Sequence, residues 1–367
     1  MKSREFGQSG VAVSEVGLGC WQLDGSCWGD VTEDAALAIL NASADHGVTF
    51  FDTADVYGTG RSETLIGRFL KQRSEDVFVA TKIGRFPVAE GETNYSEEMF
   101  RRHTEASLDR LGVEALDLTQ LHCIPAEQMR RGDVFEWLRA LRDAGKIKRF
   151  GASVESMDEA LLCLEQDGLA SLQVIFNVFR QKPIDVLFEK ARAKGVALIV
   201  RLPLASGLLS GKMTKHTDFP KNDHRTFNRD GQLFNVGETF AGLAFEKGVE
   251  LADALKSNGD LVTVHGKSWT IPSPTARSAS LGATTWCSGT GRAKRNTNID
   301  KGELSMNKTL SCCIAALFLA LPATVAAAPV LQDGRLYMFY GGAFGRADRL
   351  AGRSAGARPR ENCRPGN

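Results

Sequence analysis

The chain has no Cys-x-x-Cys pair, and no histidine is spaced to join a cysteine as a metal ligand, although eight cysteines occur in its 367 residues. A structural zinc site therefore has no ligand set, and no metal is expected. The scattered thiols Cys20, Cys27, Cys123, Cys163, Cys287, Cys312, Cys313 and Cys363 suggest a reduced compartment. Net charge is lacking too: the formal balance is +1, which gives no reason to expect nucleic acid as a partner. The opening MKSREFGQSG has no apolar core of the kind a secretory leader needs, so a cytoplasmic location is expected. Also missing is a G-x-G-x-x-G after the first strand. Its nearest approach, YGTGRSETLIG, offers Gly58 and Gly60 but puts Glu63 in the third glycine's place.

What is present is a globular composition, 43% hydrophobic, with two kinds of run in alternation. Short β-branched and aromatic stretches (SEVGLGC, VTFFD, VFVATK, LDLTQLH, KRFGAS, LQVIFN and ALIVRL) read as strands. Amphipathic stretches lie between them. Thr32 can cap a helix closed by Gly47, Ser96 one closed by Gly112, Asp133 with Glu136 one closed by Gly145, and Ser156 with Glu159 a capping box closed by Gly168. Strand and helix in strict alternation mean repeated βα units, hence a doubly wound sheet or a closed barrel. Without the nucleotide-binding glycines after the first strand, the α/β class resolves to a (β/α)8 TIM barrel.

Barrel chemistry sits at the C-terminal ends of the strands. Those ends carry Asp52, Lys82, His122 and Ser153, and Tyr57 follows five residues after the first. A free phenol holds its proton too tightly to exchange it efficiently near neutrality, and an adjacent ammonium lowers that affinity. Lys82 would be the ammonium, Asp52 its orienting partner, and His122 a donor fixing a carbonyl oxygen beside Tyr57. Such a group suits protonating an oxygen while another reagent attacks the carbon. Cys123 has no base of its own and is not read as a nucleophile. His103 falls within a helical pattern and is expected to face solvent.

Six blocks, GLGCWQLDG, FFDTADVYGTGRSE, ATKIG, LDLTQLH, GASVES and PLASGLLSGK, resemble the aldo-keto reductase family in order and spacing, from residue 1 to about 258. The resemblance implies reduction of aldehydes and ketones with NADPH, or less often NADH. The family's tetrad then falls on Asp52, Tyr57, Lys82 and His122. For the cofactor it implies Ser153 and Gln173 on the nicotinamide amide, with Val154 where the family has asparagine. Arg201 stands where a tyrosine often stacks on the ring; its planar guanidinium would stack in its place, or form an ion pair instead. Leu204, Ser206, Gly207, Leu209, Ser210, Gly211 and Lys212 would line the pyrophosphate loop. Trp21 and Trp28 would line the substrate pocket or act as packing anchors.

The pattern fails near Ser257. From Gly259 onward there are 14 Lys and Arg against 6 Asp and Glu, the composition turns to Ser, Thr, Gly and Arg, and no eighth strand is identifiable. The expected organisation is a barrel over 1–258, an unassigned junction over 259–305 read as a frameshift or fusion, and a tail over 306–367. That tail opens with MNKTLSCCIAALFLALPATVAAAP, which has the grammar of a signal peptide. Membrane contact by residues 310–330 is the weaker reading of this run, because Pro322 and the alanines make a poor span. The function expected is an NADPH-dependent carbonyl reductase acting on small molecules. The alternative is a defective, incomplete barrel or a non-enzymatic nucleotide-binding relative.

Overall fold

The computed structural model describes residues 1–257, apart from Ser26 and Gly29, together with the strand backbones 259–264, 267–272 and 336–340. The chain starts with a hairpin, β1 (Ser3–Glu5) against β2 (Ala12–Ser14), and then enters the barrel. The barrel strands follow as β3 (Val16–Gly19), β4 (Phe50–Asp52), β5 (Phe78–Ile83), β6 (Leu118–His122), β7 (Phe150–Ser153), β8 (Leu169–Ile175) and β9 (Ala197–Arg201). Each pairs in parallel with the next. Five of the seven lie inside the runs read as strands from the sequence; β5 runs one residue past VFVATK, to Ile83, and β8 begins three residues before LQVIFN, at Leu169.

The helices alternate with them: α1 (Glu33–Asp45), α2 (Arg61–Gln72), α3 (Glu97–Leu111), α4 (Ala126–Arg131), α5 (Asp133–Asp143), α6 (Met157–Leu164), α7 (Glu189–Ala193), α8 (His224–Phe227) and α9 (Phe245–Ser257). Thr32 and Ser96 cap as expected: their side chains accept from Ala35 N and Met99 N, and Gly112 ends α3 at φ 68°. The Ser156–Glu159 capping box is formed in both directions. Asp133 is not a cap. It is the first residue inside α5, because Gly132 at φ 87° already breaks the chain between α4 and α5 and takes the capping position.

Two layers of packing hold the barrel. Inside its N-terminal end, Phe6 and Val13 of the hairpin plug the opening against Phe50, Phe78, Leu118 and Ile199, with Phe6, Phe50 and Phe78 ring centroids 5.0–5.7 Å apart. Between barrel and helices, residues such as Phe51, Ile66, Phe69, Phe100, Leu121, Phe135, Leu138, Phe150 and Leu172 form the main core. His103 belongs to the buried stripe of α3, in register with Phe100 and Ser107, and is 7% exposed rather than solvent-facing. The i, i+3, i+4 spacing outweighs its polarity, and its Nδ1 comes 3.8 Å from the buried Asp55.

No eighth strand is legible in the sequence, yet one is present. Strand β12 (Leu336–Tyr340) lies parallel to both β9 and β3 and closes the barrel, Met338 being in register with Val200 and Val16. The run LYMFY has strand propensity, but it stands far from the alternating runs, the last of which ends at Leu202, so periodicity did not single it out. The junction begins with an antiparallel pair, β10 (Gly259–Val264) and β11 (Lys267–Pro272), outside the barrel. The signal-peptide-like run 306–330 lies outside the described residues. Among the described residues, no helix is long and apolar enough to cross a membrane.

Candidate active site

Strand β4 ends on Asp52, and the turn after it brings Tyr57 back over the barrel mouth. Gly58 (φ 59°) and Gly60 (φ 93°) make that return possible, and a Cβ at Gly58 would come 2.7 Å from the Asp24 carbonyl oxygen. Strand β5 carries Lys82 to the same rim, 1% exposed. All three ammonium protons have acceptors: Asp52 Oδ2 at 2.8 Å, the Thr53 carbonyl at 2.7 Å and the Tyr57 hydroxyl at 3.2 Å. The lysine is thereby fixed between the carboxylate and the phenol. Strand β6 adds His122, whose ring meets the Tyr57 ring edge-on at 5.6 Å. The four tetrad residues named from the sequence form one group.

Their proton affinities differ in one respect from the sequence expectation. Burial pushes the Tyr57 phenol above its ordinary value, and Lys82 opposes that push without reversing it. Tyr57 therefore stays protonated near neutrality. Burial pulls the Lys82 ammonium down, but the charge of Asp52, with Tyr57 and the hydrogen bonds to both, outweighs it and leaves the lysine raised. Burial, with Lys82, Arg85 and Arg201 adding repulsion, holds His122 well below the usual imidazole range. His122 is a neutral ring, able to donate from one nitrogen, and its Nδ1 is buried without a hydrogen bond.

The residues assigned to the cofactor divide into two groups. Ser153, at the end of β7, is in register with Gln173, two residues before the end of β8, and both are buried. Gln173 Nε2 donates to Asp52 Oδ1 at 2.8 Å. Arg201 forms the ion pair: it binds Glu238 and also donates to the Val154 carbonyl at 3.2 Å and to Cys123 Sγ at 3.5 Å. Cys123, Glu155 and Glu238 come close enough to share a cation, but the Arg201 guanidinium already engages two of them, Cys123 and Glu238. The loop after β9 turns through left-handed Ala205, Ser206 and Gly207. Leu204, Leu208 and Leu209 are buried there with Phe240 and Phe245, while Ser210 and Gly211 are half-buried and Lys212 is exposed. The Ser206 hydroxyl donates to the Glu238 carbonyl at 2.8 Å and accepts from Phe240 N at 3.1 Å, so it ties this loop to the 236–242 segment.

Trp21 is half-buried and stacks on Tyr57, centroids 6.1 Å apart and planes at 21°. Trp28 is buried and packs against His224 at 4.2 Å, with the Arg225 guanidinium 5.2 Å from its ring. Trp21 thus lies against Tyr57, and Trp28 packs behind it on His224. Sequence reasoning missed three contributors. Gln120, two residues before His122 and so on the same face of β6, reaches Asp52 Oδ1 at 3.4 Å; the strand period alone would have found it. Glu238 and the aromatic segment around His224 and Phe234 come from the loops and single helical turns between β9 and α9, too short for a periodicity to show.

The fold and the site together are a parallel (β/α)8 barrel with a buried lysine between a carboxylate and a phenol at its C-terminal rim, and comparison with known proteins supplies the family. The model described as "Aldo/keto reductase family" matches residues 15–270. The chain belongs to the aldo/keto reductase family. It is 28% identical over 240 residues to the aldo-keto reductase YhdN of Bacillus subtilis, covering 61% of this chain and 69% of that protein. It is 31% identical over 221 residues to the aldo-keto reductase yakc [NADP(+)] of Schizosaccharomyces pombe, covering 58% of this chain and 64% of that one. Among solved structures it resembles a glycerol dehydrogenase of Gluconobacter oxydans, with a TM-score of 0.56, 30% identity, and coverage of 69% of this chain and 76% of that one.

Proposed function

We propose that this chain is an NADPH-dependent oxidoreductase that reduces aldehydes or ketones to alcohols, with NADH as a second possible cofactor. The observation that carries the reading is the Lys82 ammonium held between Asp52 and the Tyr57 hydroxyl. The residues present fit a nicotinamide: a serine hydroxyl and a glutamine amide stand side by side at the rim, next to the tetrad. Ser153 and Gln173 would hold its amide, and the 204–212 loop would hold the pyrophosphate. When bound, the cofactor supplies hydride to the carbonyl carbon.

The protein's own residues handle the oxygen. Neutral His122 donates a hydrogen bond that fixes the carbonyl next to Tyr57. Tyr57, protonated because it is buried, gives its proton to the oxygen as charge develops there. Lys82 then stabilises the phenolate left behind, and Asp52 keeps Lys82 in place. Trp21, stacked on Tyr57, forms an aromatic wall for the substrate and excludes water from the phenol. The test mixes purified full-length protein with NADPH and a panel of aromatic and aliphatic aldehydes and follows NADPH absorbance. Folded protein that neither quenches NADPH fluorescence nor consumes it would end the enzyme reading in favour of a non-catalytic barrel. Tyr57→Phe should lower kcat by about 10²–10⁴-fold, and full retained activity would remove Tyr57 from its role.

A further inference from the structure

The carboxylate of Asp52 is shared between two sets of donors. Oδ2 faces Lys82 at 2.8 Å, while Oδ1 accepts from Gln173 Nε2 at 2.8 Å and, at the longer distance of 3.4 Å, from Gln120 Nε2. Both glutamines are buried, at 1% and 0% exposure, on the inner face of β8 and β6. Without these amides, the carboxylate could turn about its terminal torsion, which is broad and roughly two-fold. With them, one oxygen is pinned and the other is aimed at the lysine.

We propose that Gln120 and Gln173 are positioning residues for the proton-transfer group, acting through Asp52 to hold Lys82 against Tyr57. Gln173 carries a second duty: the amide that the proposed function assigns to a nicotinamide is the one already donated to Asp52. Cofactor occupancy and the proton affinity of Tyr57 are thereby linked through a single side chain, whereas Gln120 acts on Asp52 alone. The second duty rests on the reductase reading, but the first does not. When the collar is lost, Asp52 rotates, Lys82 follows it, and burial acts on the phenol with less opposition.

The test replaces each glutamine by methionine, which keeps the length and removes the donor, in the full chain without cofactor. Tyr57 ionisation is read by its ultraviolet absorbance after a stopped-flow pH jump, before alkaline unfolding, with the same variant carrying Tyr57→Phe as blank. Gln120→Met and Gln173→Met should each move the Tyr57 transition to higher pH by about 1 pH unit. If Gln120→Met does not fold, Gln120→Asn withdraws the amide by one carbon and should move the transition in the same direction. Transitions unchanged from wild type in folded variants would overturn the proposal. In parallel, NADPH fluorescence titration should weaken for Gln173→Met and stay unchanged for Gln120→Met. Equal weakening in both would overturn the division of roles. Failure of the wild-type chain to bind NADPH would remove the reductase reading while the titration still decides the positioning role.

Discussion

Replacing Lys82 by methionine would remove the ammonium facing Asp52 Oδ2 from a site where both side chains are less than a tenth exposed. Breaking a buried ion pair from one side costs about 3–5 kcal/mol, because the surviving charge is left uncompensated. The Thr53 carbonyl, 2.7 Å from the ammonium, loses its donor as well, at a further cost of about 1–3 kcal/mol. Against this, Asp52 keeps Gln173 and Gln120, so a net loss of about 3 kcal/mol is expected, at the low end of the range. Urea unfolding read by tryptophan fluorescence measures it. The decisive comparison is the double variant Asp52→Asn/Lys82→Met, which removes both charges and should recover about 1–2 kcal/mol of the loss. If the double variant proved no more stable than Lys82→Met alone, charge left unpaired would not be the source of the cost, and the reasoning would fail.

Other expectations follow from the same structure. Burial drives the His224 ring down to about 3, from an ordinary value of 6.5, so the folded state keeps it neutral while the unfolded chain binds a proton as pH falls. Its contribution to stability is complete above pH 6.5 and is lost below it at about 1.4 kcal/mol per pH unit, until the folded ring also titrates. His224→Phe, which keeps a ring against Trp28, should flatten the fall in stability between pH 6 and 4, as measured by urea midpoints across that range. Gly67→Ala should destabilise by about 1–3 kcal/mol, since its Cβ would lie 2.2 Å from the Arg110 carbonyl oxygen and only a shift of α2 against α3 relieves the clash; thermal unfolding reads this directly. Ser156→Ala opens the capping box of α6 and should cost about 1 kcal/mol in the same assay.

The strands β3 to β9 and most of the helix ends were legible because both obey short-range rules. Alternation, capping boxes and left-handed glycines are written within a few residues of where they act. The tetrad was legible for a related reason: strand ends converge in a parallel barrel, so a residue's place on its strand fixes its place in the site. What stayed hidden depends on partners far along the chain. The Glu238 partner of Arg201, the Gln173 hydrogen bond to Asp52 and the pairing of Leu336–Tyr340 with Val16–Leu18 have no local signature. The direction of the Tyr57 shift was missed on other grounds. Sequence reasoning weighed the neighbouring charge and had no measure of burial, which is the larger effect here. His103 shows the converse error, where polarity was given more weight than its register on α3.

The order of strands around the barrel has a consequence for how the molecule can vary. Asp52, Tyr57, Lys82 and His122 all come from the arc β4 to β6, whereas Ser153, Gln173 and Arg201 lie on the arc β7 to β9. The barrel is thus split into two hemispheres, one grouping the residues proposed to move a proton and the other those proposed to grip a cofactor. Away from Gln173, substitutions can accumulate in the second without disturbing the first. The hydrogen bond from Gln173 to Asp52, joining residues 121 positions apart, crosses that meridian. A change at Gln173 therefore has a direct route to the group proposed to move the proton.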